Sequence, residues 1–201
     1  MATAIHPSSR ANWNRETVYE EMGFDQFLDI SSFDPNSPTR HSGVTDATTY
    51  EKVLEQLSSF DGPQLILDVT MQNHGGYGAF DLPEDQRVDL DITWLDDYAL
   101  EEVAEYVSLI ELSDNELEEF VEELREVDRP VVLVFFGDHQ PALGSTLNEH
   151  LYSEEDSEDP AHQQRVYQVP YLIWANYDVA GNSQTSERAD MGINDLAAVT
   201  L

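Results

Sequence analysis

Cysteine is absent from the chain, and lysine is almost absent, with Lys52 standing alone. The first absence excludes a disulfide scaffold and thiolate-ligated zinc, and it leaves the redox compartment open. The second is part of a wider scarcity of positive charge: 9 basic residues stand against 41 acidic ones, so the formal charge is 9 − 41 = −32. Nucleic acids and anionic membranes are held by basic side chains that displace counterions, so a surface of this kind repels both. A solvated acidic face that keeps the protein soluble is the plain account, and a salty or cation-rich habitat is the weaker one. Long apolar runs are also missing: none approaches the ~18 residues that span a bilayer, and no secretory leader pattern is read. The chain is expected to be soluble, either cytosolic or a piece of a larger, anchored protein.

Apolar residues make up 40% and aromatics 10%, which marks a globular chain rather than a disordered one. Its 201 residues suit one domain with a sizeable core. The ends favour a piece of something longer. An apolar strand starts directly after Met1, and a helical stretch from Ile193 to Leu201 stops without a cap or polar tail, whereas domains usually taper into mobile polar termini.

Between the ends, strands and helices alternate. Short apolar runs at 2–5, 64–70, 131–136 and 170–174 read as strands. The second and third are nearly all apolar, as in central parallel strands covered on both faces. Residues 15–22 read as a short helix. Residues 46–59 read as another, capped by Thr45 or Asp46, with Tyr50, Val53, Leu54 and Leu57 on one face. From Leu95 to Val127, apolar residues recur at helical steps and acidic residues, Glu105 among them, mostly take the other face; a break near Ser113 is expected to split the stretch, with Ser113 capping the second half. The loops 31–45, 75–93 and 144–166 are acidic or rich in turn formers, and 153–159 reads as an exposed acidic insertion. This alternation argues for an α/β fold with a mostly parallel sheet flanked by helices.

Chemistry is concentrated where strands end, the usual place for ligands in open α/β sheets. The strand at 131–136 ends in Gly137-Asp138-His139. A carboxylate beside an imidazole offers mixed ligation suited to manganese, zinc or magnesium. A solvated turn is the alternative for the dipeptide taken alone, and its position after an apolar strand read as wholly buried favours the ligand pair. The strand at 64–70 runs into Asn73-His74-Gly75-Gly76, in which His74 is read equally well as an ordinary loop residue. The first strand ends at His6, followed by Trp13-Asn14-Arg15. Arg15 suits a two-pronged grip on phosphate or sulfate, and Trp13 suits stacking on a polyol or sugar; a core tryptophan and a helix-start ion pair are the alternatives.

Taken in order, His6, Trp13-Asn14-Arg15, Gly23-Phe24-Asp25, Asn73-His74, Gly137-Asp138-His139 and the later Pro170 to Tyr177 segment resemble the extracellular domain of lipoteichoic acid synthase-type phosphoglycerol transferases, of the sulfatase and alkaline phosphatase superfamily. The resemblance covers nearly the whole chain. It implies an incomplete alkaline phosphatase/sulfatase-like fold, with residues 1–201 forming the central and C-terminal part of one catalytic domain. It assigns Asp138 and His139 to a divalent metal, manganese or magnesium, and His6, Trp13, Arg15 and His74 to the phosphoglycerol group. It implies a phosphatidylglycerol-like lipid donor, a glycopolymer acceptor and a site on the extracytoplasmic face of the membrane. The family's nucleophilic threonine and a metal-binding glutamate have no counterpart, since Thr3 and Thr70 sit in strand contexts, so no catalytic nucleophile is assigned in this chain and it is expected to be inactive alone. Asn36-Ser37-Pro38-Thr39-Arg40 is read as a loop, because a formylglycine motif would need cysteine or serine where Asn36 stands. A sulfatase, a phosphoethanolamine transferase or other phosphodiesterase, and a noncatalytic envelope-glycopolymer-binding module remain as alternatives. An exposed sheet edge makes a homodimer an expected assembly.

Overall fold

The computed structural model describes residues 1–78, 82–144, 147, 150–151, 158–179 and 188–200, so most of the acidic run at 153–159 lies outside the described residues. Two compact units are present, residues 1–120 with 142–151, and residues 121–141 with 152–201.

The first unit begins with β1 (Ala2–Ile5), α1 (Arg15–Glu21), β2 (Gln26–Leu28) and a short antiparallel ribbon of β3 (Thr39–Arg40) and β4 (Gly43–Val44). It continues through α2 (Asp46–Ser59) and β5 (Leu65–Asp68) into the long α3 (Asp97–Arg125), whose last turn belongs to the second unit. β1 is the middle strand of a sheet ordered β2-β1-β5, parallel on both sides. Covered on both sides, Thr3, Ala4 and Ile5 are wholly buried. Thr45 starts α2 by accepting the Thr48 N–H on its hydroxyl, and Tyr50 and Val53 turn inward, with Tyr50 stacked on Phe120 at 4.5 Å. Leu95, just before α3, and Ala99 and Val103 on it join Leu147 in one apolar cluster, and Leu109 of α3 joins Tyr77 and Leu82 in another.

Three local expectations change. The strand at 64–70 is only Leu65–Asp68: the Val69 N–H still bonds to the Ile5 carbonyl at 3.0 Å, but the regular ladder ends there as β1 itself ends. No break divides α3 at Ser113: its hydroxyl bonds to side chains of other elements instead of capping backbone N–H groups, so the helical ladder runs through. Glu105, read as solvent-facing, is 4% exposed, pairs with His41 at 3.6 Å and accepts the Gly78 N–H. Amphipathic spacing places a residue on a face, and it does not tell that a loop will cover that face with polar groups.

The second unit holds β6 (Val132–Phe136), α4 (Pro160–Arg165), β7 (Tyr171–Ala175) and α5 (Ile193–Thr200). β6 pairs antiparallel with β7, from Val132 opposite Ala175 to Phe136 opposite Tyr171. The strand is half-exposed rather than covered on both faces, with Val132 and Phe136 open to solvent. An unbroken apolar run specifies a strand, but its direction relative to a neighbour comes from where the chain returns. Asn176, just past β7, accepts the Val131 N–H and donates to the carbonyls of Leu124, Val127 and Arg129, tying the end of α3 to the start of β6.

Candidate functional site

Because β1, β2 and β5 run parallel, their carboxyl ends share one edge, and the residues after each strand gather there. His6 follows β1 directly and is wholly buried. Its N–H donates to the Leu28 carbonyl at 2.9 Å, and its ring Nδ1 meets the Val69 carbonyl at 3.0 Å. A carbonyl only accepts, so Nδ1 carries the proton and Nε2 keeps its lone pair in the neutral ring. Burial pulls the His6 pKa below the ordinary imidazole value; the Val69 bond opposes this, and the charges of Arg15 and His74 add to it. Nε2 is buried without a partner among the described residues.

Trp13 stands between two imidazoles, its ring edge-on to His6 and to His74 at 5.8 Å from each. It is 58% exposed, and both Trp13 and Asn14 have left-handed backbones, with φ of 51° and 55°. Such conformations cost about 1–3 kcal/mol each and persist where the surroundings impose them, often at functional sites. A solvent-facing indole held at that cost has no core to serve. Arg15 lies over the indole at 5.0 Å and donates from Nη1 to the Tyr19 hydroxyl at 2.7 Å, while its Nε–H is buried without a partner among the described residues. Arg10 serves a different purpose. It binds Asp29, at the end of β2, at 2.6 Å and Glu16 at 3.1 Å, which fastens the loop carrying Trp13 to the sheet. That bond, with help from Ser31 and against burial, pulls the Asp29 carboxyl down to about 2.

The loop after β5 presents His74, which is solvent-exposed. Ser42, in the β3–β4 turn, donates to the His74 carbonyl at 2.6 Å, and Tyr77 donates to the Asn73 carbonyl at 2.8 Å. The ribbon lies so close that a Cβ on Gly43 would stand 2.8 Å from the Met71 Cβ, so only glycine fits. Asn36 to Pro38 is loop, with Asn36 bonded to Asp34, but Thr39 and Arg40, read as part of that loop, form β3 by pairing with Val44 and Gly43.

Asp138 and His139 belong to the second unit. They follow β6 through Gly137, where a Cβ would come within 3.3 Å of Val169. Both side chains are exposed, and His139 Nε2 lies 3.5 Å from Asp138 Oδ2. His139 Nδ1 donates to the Gln140 carbonyl at 2.8 Å, the arrangement that leaves Nε2 free to ligate. One oxygen and one nitrogen at this spacing fit two corners of a divalent-ion site. Among the described residues no group of three or more His, Asp or Glu side chains converges on an ion. Thr3 is sealed within β1, and Thr70 bonds to Asp46, so neither is presented to a ligand.

Sequence reasoning placed His6, Trp13, Arg15 and His74 at one edge, and the structure brings these four together; Asp138 and His139 form a pair of their own. It missed Arg10, Asp29 and Ser42, which hold the loops, because their partners lie 19 and 32 positions away.

The site is a polar, histidine- and arginine-lined corner at the carboxyl edge of a parallel sheet, the arrangement of α/β proteins that bind anionic ligands. The family model described as Sulfatase matches residues 2–201, and the chain belongs to that family. It is 25% identical to the lipoteichoic acid synthase-like protein YvgJ of Bacillus subtilis over 86% of this chain and 27% of that protein. Among solved structures it resembles the Streptococcus pyogenes phosphoglycerol transferase GacH in complex with sn-glycerol-1-phosphate, with 28% identity and a TM-score of 0.69, covering 92% of this chain and 45% of that one. It also shares the fold of the lipoteichoic acid synthase LtaP of Listeria monocytogenes, at 24% identity and a TM-score of 0.63 over 86% of this chain and 42% of that one. The chain thus spans about a quarter of its curated relatives and under half of the solved chains it matches. No described helix is long and apolar enough to cross a membrane.

Proposed function

We propose that this chain is the substrate-gripping part of a metal-dependent phosphoglycerol transferase that acts on cell-envelope polymers at the extracytoplasmic face of the membrane. The observation that carries the reading is the corner of His6, Trp13, Arg15 and His74, built on a strained, exposed tryptophan. Its chemistry suits phosphoglycerol. Arg15 has a spare Nε–H for a phosphoryl oxygen, His74 adds a donor, and neutral His6 offers Nε2 as an acceptor for a glycerol hydroxyl. The indole edge would bound the polyol. Asp138 and His139 would hold a divalent ion, manganese or magnesium, which supplies neutralisation of phosphoryl charge when bound. A phosphatidylglycerol-like lipid and a glycopolymer are the matching donor and acceptor of the whole protein. Neither Thr3 nor Thr70 is presented for attack, so turnover of a phosphodiester by this chain alone is not expected.

Calorimetry tests the reading. sn-Glycerol-1-phosphate should bind at least ten-fold more tightly than inorganic phosphate or phosphoethanolamine, and manganese heats should vanish in Asp138→Ala. Equal binding of all three anions, or none of glycerol phosphate, would overturn it. The outer edge of β5, flanked by the exposed Leu65, is the proposed seam of a homodimer. Elution as a monomer at high concentration would count against that seam.

A further inference from the structure

The exposed His74 sits at the tip of a loop whose root is buried. Gln72 is wholly buried two residues before it, and Met71 is nearly so. The Gln72 amide donates to the Ser113 hydroxyl at 3.3 Å and to Glu116 Oε2 at 3.1 Å, and its Oε1 accepts the Asp46 N–H at 3.3 Å. Asn73 donates from Nδ2 to the same Ser113 hydroxyl at 2.8 Å. Ser113 in turn donates to Asp46 Oδ2 at 2.6 Å, and Glu116 accepts the Ala47 N–H at 3.3 Å. One hydroxyl in mid-α3 is therefore the junction of the His74 loop, the first turn of α2 and α3 itself. Both residues preceding His74 end on it.

We propose that Ser113 is a positioning residue for His74: through Gln72 and Asn73 it sets where the imidazole stands beside Trp13, and so tunes the affinity of the corner for its anionic ligand. This rests on the phosphoglycerol reading for the identity of the ligand, but not for the claim about the loop. A serine interior to a helix has little reason to be there for helix stability, since serine is a middling helix former. Its hydroxyl matches what the junction needs, one donor for a carboxylate and two acceptor lone pairs for two amides. Alanine would leave a buried carboxylate oxygen and two amide N–H groups short of a partner, and the loop would gain alternative positions.

The experiment compares Ser113→Ala, Ser113→Thr and, as a control for general destabilisation, Val53→Ala, whose side chain is buried in α2 away from the junction. Amide hydrogen exchange at residues 71–74 is read against that of β1, and sn-glycerol-1-phosphate affinity by calorimetry. Ser113→Ala should speed exchange at 71–74 about ten-fold relative to β1 and weaken binding about ten-fold; Ser113→Thr should restore both, and Val53→Ala should change neither ratio. If Ser113→Ala does not fold, Asn73→Ala, which cuts one tether and leaves the buried bonds in place, should give the same two changes in smaller measure. Wild-type loop exchange in Ser113→Ala overturns the proposal, as does equal loosening in Val53→Ala. Were the wild type not to bind glycerol phosphate, the functional reading would fall, and the exchange ratios alone would decide the role of Ser113.

Discussion

Asp68→Asn should raise stability by about 1 kcal/mol at pH 4.5, where its effect begins, and by a few kcal/mol at pH 9. Asp68 closes β5 with both carboxylate oxygens buried and with no hydrogen bond of normal geometry among the described residues. Burial, reinforced by the negative Asp46 and only weakly opposed by the Val69 N–H, pushes its pKa up to about 8. In the unfolded chain the same group titrates near its ordinary value of about 4. Below that value both states hold the proton and the residue is neutral to stability. Between about 4 and 8 the folded state keeps a proton that the unfolded state has lost, so stability falls as pH rises, and above 8 the whole cost is present. Asparagine has the shape of the protonated acid and does not titrate, so the gap between the two proteins should open across that window. Glu116 is raised by burial too, and the opposing Asp29 is lowered, but both remain in the variant and cancel in the difference, whereas Asp46, whose charge acts on Asp68, is part of the gap. Urea unfolding at pH 4.5, 7 and 9 provides the measurement. Parallel pH profiles for the two proteins would show that Asp68 is not held protonated.

The second large effect belongs to Arg15. Arg15→Ala should weaken sn-glycerol-1-phosphate binding about 100-fold, since a charge-assisted hydrogen bond is worth about 1.5–3 kcal/mol and a ten-fold change is about 1.4 kcal/mol. Arg15→Lys should recover little of this. The guanidinium spreads over the Trp13 ring, gives one arm to the Tyr19 hydroxyl and keeps Nε–H in reserve. A lysine ammonium has no planar fork with which to do all three. Tyr19 itself is packed against Phe24 and Phe27, so the anchor should outlast the loss of Arg15, and thermal unfolding should shift little. Calorimetry on the three proteins checks the prediction, and wild-type affinity in Arg15→Lys would show that the planar fork is not needed.

Much of this corner was legible in the residues because chemistry at strand ends is local in sequence. His6 directly follows an apolar strand, and the Trp13-Asn14-Arg15 triplet opens a helix. His74 follows a second strand through a short turn. Parallel pairing then needs no further information to bring the three segments to one edge. The strain at Trp13 and Asn14 was not legible, since no residue pattern announces a left-handed indole.

From sequence alone came the α/β class, the strands β1, β5, β6 and β7, the helices α1, α2, α3 and α5, the four residues gathered at the sheet edge and the Asp138-His139 pair, because strand periodicity, helix caps and motif order are written within a few residues of one another. β2, α4 and the β3–β4 ribbon, all short, were not legible. Tertiary structure alone decided that α3 runs unbroken past Ser113, that Glu105 is buried, that β6 pairs antiparallel with β7, and that Gln72 and Asn73 root the His74 loop on one hydroxyl. Each of these depends on a partner tens of residues away, and a serine in a helix looks the same in sequence whether water or a buried carboxylate receives its proton.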